Sequence, residues 1–294
     1  MTTIKVHKVD LDDVLTNTDK YNVSNLMPAE NYSDVLSWSN TKNWVHPFHE
    51  HSGLEVIKVT NKADLRWIGE ALDIGHVSKR FSRLHLDELD DFCSRYAYFD
   101  NLIKQGVFVR TEHVSLKSGV HGIGPYTSIR QIMESICTCT KTHSAFRKTD
   151  LKMVIYILPW LPVNQEKEFR VFVHGNKITA ISVQQIYKPN KWLDSLDDCQ
   201  LVSLAEAIND FFTRKFIGIW LTTEMSRKTS NFTMDLALLD NGEFYFIEAN
   251  PFGPQFAAGS ALFHWLTDQV LYNSDGVIEF RTIKKQLNTL TTNQ

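Results

Sequence analysis

The chain has no apolar run of the length, about 20 residues, that a membrane-spanning helix requires. Its start, MTTIKVHKVDLDD, also lacks the basic stretch and apolar core of a secretory leader. A soluble, cytoplasmic protein is the expectation. There is no surplus of positive charge either: 31 Lys and Arg stand against 34 Asp and Glu. That excludes the global basic field of non-specific nucleic-acid binders and leaves only a local patch possible. Cysteine is scarce. Cys93, Cys137, Cys139 and Cys199 are too few for a disulfide framework and contain no paired C-x-x-C of a zinc site. Cys137 and Cys139 lie near His143, but a fourth ligand and standard spacing are missing, so all four read as reduced thiols. No internal repeat, low-complexity tract or long Pro/Gly/Ser linker occurs. The absence of G-x-x-x-x-G-K-S/T and of G-x-G-x-x-G means that any bound phosphate must be met by cationic side chains. No Cys–His or Ser–His pairing at a recognisable spacing offers a covalent nucleophile, so no catalytic residue is assigned.

What is present is a sequence able to bury a sizeable core: 294 residues, 43% hydrophobic and 12% aromatic. Leu86, Leu89, Phe92, Tyr96, Phe99 and Ile103 recur at helical spacing and predict an amphipathic helix over 86–103. A short buried strand over 107–110 follows. Ser128 with Gln131, and later Ser203 with Glu206, read as capping boxes opening two helices. Residues 153–158 form an apolar strand closed by Pro159, and 169–173 with 178–183 flank His174-Gly175-Asn176 as a hairpin. This order predicts an α+β protein, with 1–150 comprising an N-terminal region and a first lobe, and 151–294 a second lobe.

The segment FTMDLALLDNGEFYFIEANPF carries the sharpest chemistry. Asn241-Gly242 between two strand-length runs favours a two-residue type I′ turn. Counting from that turn pairs Leu239 with Phe244, Ala237 with Phe246 and Asp235 with Glu248. Two opposed carboxylates repel, and alternation along the strand adds the Asn250 amide on the same face. Such a set suits magnesium, which takes one or two carboxylates and completes its octahedron with water and nucleotide phosphate. The alternative is a hydrated acidic edge.

Cations accompany it. Arg110 ends the 107–110 strand and Lys117 follows in the next loop; both can reach a polyphosphate, or simply be a solvated strand end. Arg170 interrupts the apolar run Phe169, Val171, Phe172, Val173, where a charge needs a partner or a ligand. Gln184 ends the following strand and can add a polar contact.

Taken together, VFVR with a following S-x-K, EFRVFV-HGNKITAIS, FTMDLALL, and IEANPFG followed by ALFHW resemble the ATP-grasp superfamily, and within it the cell-division-cycle-123 family. The likeness runs from about Val107 to Trp265, with Glu279-Phe280-Arg281 as a family-like tail. It implies an ATP-grasp fold of two α+β lobes with ATP in the cleft between them, the adenine near Ile157, Leu158 and Trp160. It implies Asp235, Glu248 and Asn250 as magnesium ligands, and Arg110, Lys117, Arg170 and Gln184 around the nucleotide. The sequence departs from the family at Arg110, where lysine is usual, and at Glu248, where aspartate is common. The resemblance further implies an ATP-dependent assembly factor for translation initiation factor 2, acting through its gamma subunit. The wider superfamily implies a rival, a carboxylate–amine ligase working through an acyl phosphate.

Overall fold

The computed structural model describes residues 2–30, 32–146 and 152–284. Among the described residues nine strands run in chain order: β1 (Thr3–Asp10), β2 (Glu55–Val59), β3 (Val107–Thr111), β4 (Met153–Pro159), β5 (Glu168–His174), β6 (Lys177–Val183), β7 (Phe232–Leu238), β8 (Phe244–Pro251) and β9 (Val277–Lys284). With the helices between them they make the α+β architecture expected. The chain divides into two compact units, 40–162 and a second that joins 1–39 to 163–294. The expected break between residues 150 and 151 lies outside the described residues, and the observed division differs from it. The reason is a long-range pairing that no local pattern announces: β1 lies parallel to β9, Thr3 opposite Val277, which draws the N-terminus into the C-terminal unit.

In the unit 40–162, β4 is the central strand of an antiparallel sheet of order β2-β4-β3. Six consecutive β4 residues, Met153–Leu158, are buried, as a central strand covered on both faces requires. Helices Lys62–Ser78 and Ile129–Thr138 pack together with the sheet around Ile68, Leu72, Ile132, Met133 and Ile155. They approach closely at Gly75, where a Cβ would stand 2.3 Å from the Cys137 carbonyl oxygen. The Ser128 hydroxyl caps its helix as expected, accepting from Gln131 N–H, but the Gln131 side chain accepts from Thr127 N–H rather than from the cap residue itself. The helix expected over 86–103 is broken into Leu86–Arg95, a 3-10 turn Ala97–Phe99 and Asp100–Ile103; Leu89, Phe92 and Ile103 are buried, while Leu86 is exposed.

The other unit carries a six-stranded sheet of order β1-β9-β6-β5-β7-β8. Its first three strands are parallel and its last four antiparallel. One face is covered by the helix Asp198–Phe211 and the turns after it, where Trp220 stacks on Phe232 with ring centroids 3.9 Å apart. That helix starts earlier than the Ser203 box predicts, because Asp197 and Gln200 form a complete capping box upstream. The opposite face holds a smaller cluster of Phe172, Phe263, Trp265 and Leu271 beneath the segment joining β8 to β9.

Both hairpins of this sheet depart from simple counting. The turn at Gly175-Asn176 has positive φ at both residues, 59° and 58°, and is the type I′ turn. At Asn241-Gly242 only Gly242 has positive φ, 83°, and Leu239 N–H donates to Glu243 O across a three-residue loop. The pairs nearest this turn are therefore Leu238 with Phe244, Ala237 with Tyr245 and Leu236 with Phe246. These replace the expected pairing of Leu239 with Phe244 and of Ala237 with Phe246. A β-bulge between Asp235 and Leu236 then skips Ile247 and returns Glu248 to its place opposite Asp235.

Candidate functional site

The sheet in the unit 1–39/163–294 carries a polar row across all six strands. Successive registers align His7, Arg281, Ser182, Arg170, Asp235 and Glu248. A second bulge makes this possible: the β5–β6 register shifts between Phe172 and Val173, skipping Thr179, so Ser182 rather than Ile181 stands opposite Arg170. Without either bulge, a row member would point to the helix-covered face, because side chains alternate with a period of two.

Asp235, fifth in the row, is buried. Arg170, also buried, forks onto it with Nε to Oδ1 at 2.9 Å and Nη2 to Oδ2 at 2.8 Å. Gln184 Nε2 donates to the same Oδ2 at 3.1 Å. Arg170 Nη1 donates to the Gly259 carbonyl at 2.6 Å. Glu248 is half-buried, its carboxyl close enough to hydrogen-bond Asp235, and Asn250 Nδ2 lies 3.4 Å from Glu248 Oε1. Burial pushes the Asp235 carboxyl above the usual aspartate value, Glu248 adds to the rise, and Arg170 opposes it. Burial works equally against the Arg170 charge, but Asp235 and Glu248 outweigh it and raise its pKa.

This arrangement fits a magnesium ion on donor chemistry. Among the described residues no group of three or more His, Cys, Asp or Glu side chains is placed to hold a metal. The set here is two carboxylates and an amide, which is sparse enough for an ion that keeps waters and phosphate oxygens in its shell. A cation would relieve the like charges that face each other across β7 and β8.

The structure thus gathers Arg170, Gln184, Asp235, Glu248 and Asn250 in one unit. Arg170 is a counter-ion to Asp235 there, not a cation held out toward solvent. In the unit 40–162, Arg110 lies beside Tyr156, with Ile157 opposite Val109 and Leu158 opposite Phe108. Trp160 N–H donates to Gly106 O at 3.2 Å. Arg110 is buried, gives Nε to Thr41 Oγ1 at 3.0 Å and sits 4.7 Å over the Trp44 ring. Lys117 is exposed in the loop after β3.

Two contributors escaped the sequence reading, Ser182 and the Gly259 carbonyl. Ser182 is hidden by the Thr179 bulge, since counting back from the Gly175-Asn176 turn puts Ile181 in its place. A backbone carbonyl leaves no residue signature at all.

Comparison with known proteins bears on the fold and the family. The D123 family model matches residues 128–294. The structure of Cdc123 from Schizosaccharomyces pombe superposes with a TM-score of 0.63 at 13% identity, covering 88% of this chain and 100% of that one. Its C-terminally truncated form gives 0.62 at 15% identity, with the same coverage of both chains. The α+β fold is shared with these structures. No curated relative matches the sequence.

Proposed function

From the premise that this chain belongs to the D123 family, we propose that it is an ATP- and magnesium-binding protein of ATP-grasp type that serves as an assembly factor for translation initiation factor 2, engaging the gamma subunit. The observation that carries the nucleotide part is the opposition of Asp235 and Glu248 across β7 and β8, restored by a bulge after the turn displaces it. Bulges re-aim side chains beside functional sites, and here the result is a second carboxyl group set beside Asp235, whose own charge Arg170 already balances.

Asp235, Glu248 and Asn250 would hold the ion, which when bound neutralises phosphate charge. Arg170 and Gln184 fix the Asp235 carboxylate by three hydrogen bonds, so one ligand is already oriented before binding. Arg110, Lys117, the β4 residues Ile157 and Leu158, and Trp160 just after that strand would meet phosphates and base. No helix among the described residues is long and apolar enough to cross a membrane.

The test is calorimetric titration with ATP, with and without magnesium, alongside binding of purified initiation-factor gamma subunit. The expected result is magnesium-dependent ATP binding, one stable protein complex and little ADP release. ADP released in step with a new amide bond would identify a ligase instead. ATP that fails to bind with magnesium would sink both readings.

A further inference from the structure

The Arg170 guanidinium serves two masters. Its fork consumes three lone pairs of Asp235 together with Gln184, two on Oδ2 and one on Oδ1, out of the four a carboxylate offers. Its Nη1 donates instead to the carbonyl of Gly259, in the segment between β8 and β9. The same segment is gripped three residues further on by the same polar row. Ser182 Oγ accepts from Leu262 N–H at 3.1 Å, and Arg281 Nη1 donates to Leu262 O at 3.0 Å. Residues 259–262 are therefore held down on the sheet by side chains of the row that includes the carboxylate pair, and Arg170 alone among them touches both.

We propose that Arg170 is a positioning residue that ties the charge state of the Asp235/Glu248 pair to the conformation of the segment around Gly259–Leu262. The link works through one planar guanidinium held at both ends. Whatever strengthens the hold of Asp235 on Arg170 fixes the guanidinium plane and with it the bond to Gly259 O. Whatever draws Asp235 toward another positive charge weakens the fork and loosens the segment. The second arm of this statement rests on the reading of Asp235 and Glu248 as a cation site; the first does not.

Hydrogen–deuterium exchange of peptides spanning 252–268 tests it, with the helix Asp198–Phe211 on the opposite face as internal control. Arg170→Lys cannot reproduce a planar fork plus a third bond, and should speed exchange in 252–268 about tenfold, the worth of one charge-assisted hydrogen bond. Glu248→Gln removes the like charge beside Asp235, strengthens the fork and should slow exchange there by a factor of about three. Manganese added to the wild-type protein should speed exchange in the same segment, and should have no such effect in Arg170→Lys. Unchanged exchange at 252–268 in Arg170→Lys overturns the proposal. Should that variant fail to fold, the sign for Glu248→Gln decides, an unchanged or faster segment overturning it. If the variants behave as expected but manganese leaves the wild type unaltered, the link stands and the cation-site reading fails.

Discussion

Arg281 closes a two-point fork on Asp268, Nη1 to Oδ2 at 2.9 Å and Nη2 to Oδ1 at 2.6 Å, while its Nε holds Glu279 and its plane lies 4.1 Å over the Phe263 ring. Every edge of the guanidinium is used, and the contact joins β9 to the segment that covers the sheet. Both charged groups are mostly buried, with side-chain exposures of 18% and 21%. Replacing Arg281 with Ala strands two carboxylates and should cost about 3 kcal/mol of stability. Urea unfolding of Arg281→Ala and wild type measures it; a loss well under about 1 kcal/mol, typical of an exposed pair, would contradict it.

Glu248→Gln should keep the fold, since the residue is half-buried and keeps its shape. It removes one of two anionic donors, so magnesium-dependent ATP binding should weaken by at least about tenfold, while stability without ligand stays within about 1 kcal/mol of wild type. Titration calorimetry and thermal melting separate the two effects. Equal ATP affinity in both proteins would remove Glu248 from the site.

His49 gives a pH signature. Burial, with the nearby Arg110 charge acting in the same sense, lowers its pKa from the ordinary 6.5 to about 4. The folded state thus holds the ring neutral while the unfolded chain protonates it at higher pH. The associated stability is complete above pH 6.5 and is lost as pH falls from there toward 4. Across the whole window this amounts to about 3 kcal/mol. In His49→Phe that part of the acid slope should vanish, which urea unfolding of both proteins across the window would show as diverging curves. Parallel curves would rule it out.

Gly75→Ala tests the contact between helices Lys62–Ser78 and Ile129–Thr138. A methyl group there meets the Cys137 carbonyl oxygen at 2.3 Å, and backbone cannot step aside as a side-chain tip can. The helix propensity gained, about 1 kcal/mol, is smaller than the overpacking cost of about 1–3 kcal/mol. A net loss of thermal stability is expected; a more stable protein would show that the helices separate freely.

Much of the fold was legible from the chain alone because its signals are local. Alternation and apolar runs marked β3 to β8, and Ser128 announced its helix through a cap that satisfies an orphan N–H. Asp235, Glu248 and Asn250 could be singled out because opposed acids on a hairpin are chemically conspicuous. The partner of Arg170 was open between a ligand and an acid, and only the β5–β7 pairing chose Asp235.

The sequence by itself determined which residues are charged within apolar strands and that the two acids share a hairpin. It did not determine how they come to face one another. The expected type I′ turn at Asn241-Gly242 is absent, and the pairing of Asp235 with Glu248 survives because the bulge at Ile247 cancels the shift introduced by the three-residue loop. The bulge at Thr179 likewise chooses Ser182, and the parallel pairing of β1 with β9 decides where the first 39 residues belong. Each depends on which register buries the most apolar surface while pairing the most backbone groups. That sum runs over strands far apart in the chain, so tertiary structure alone could settle it.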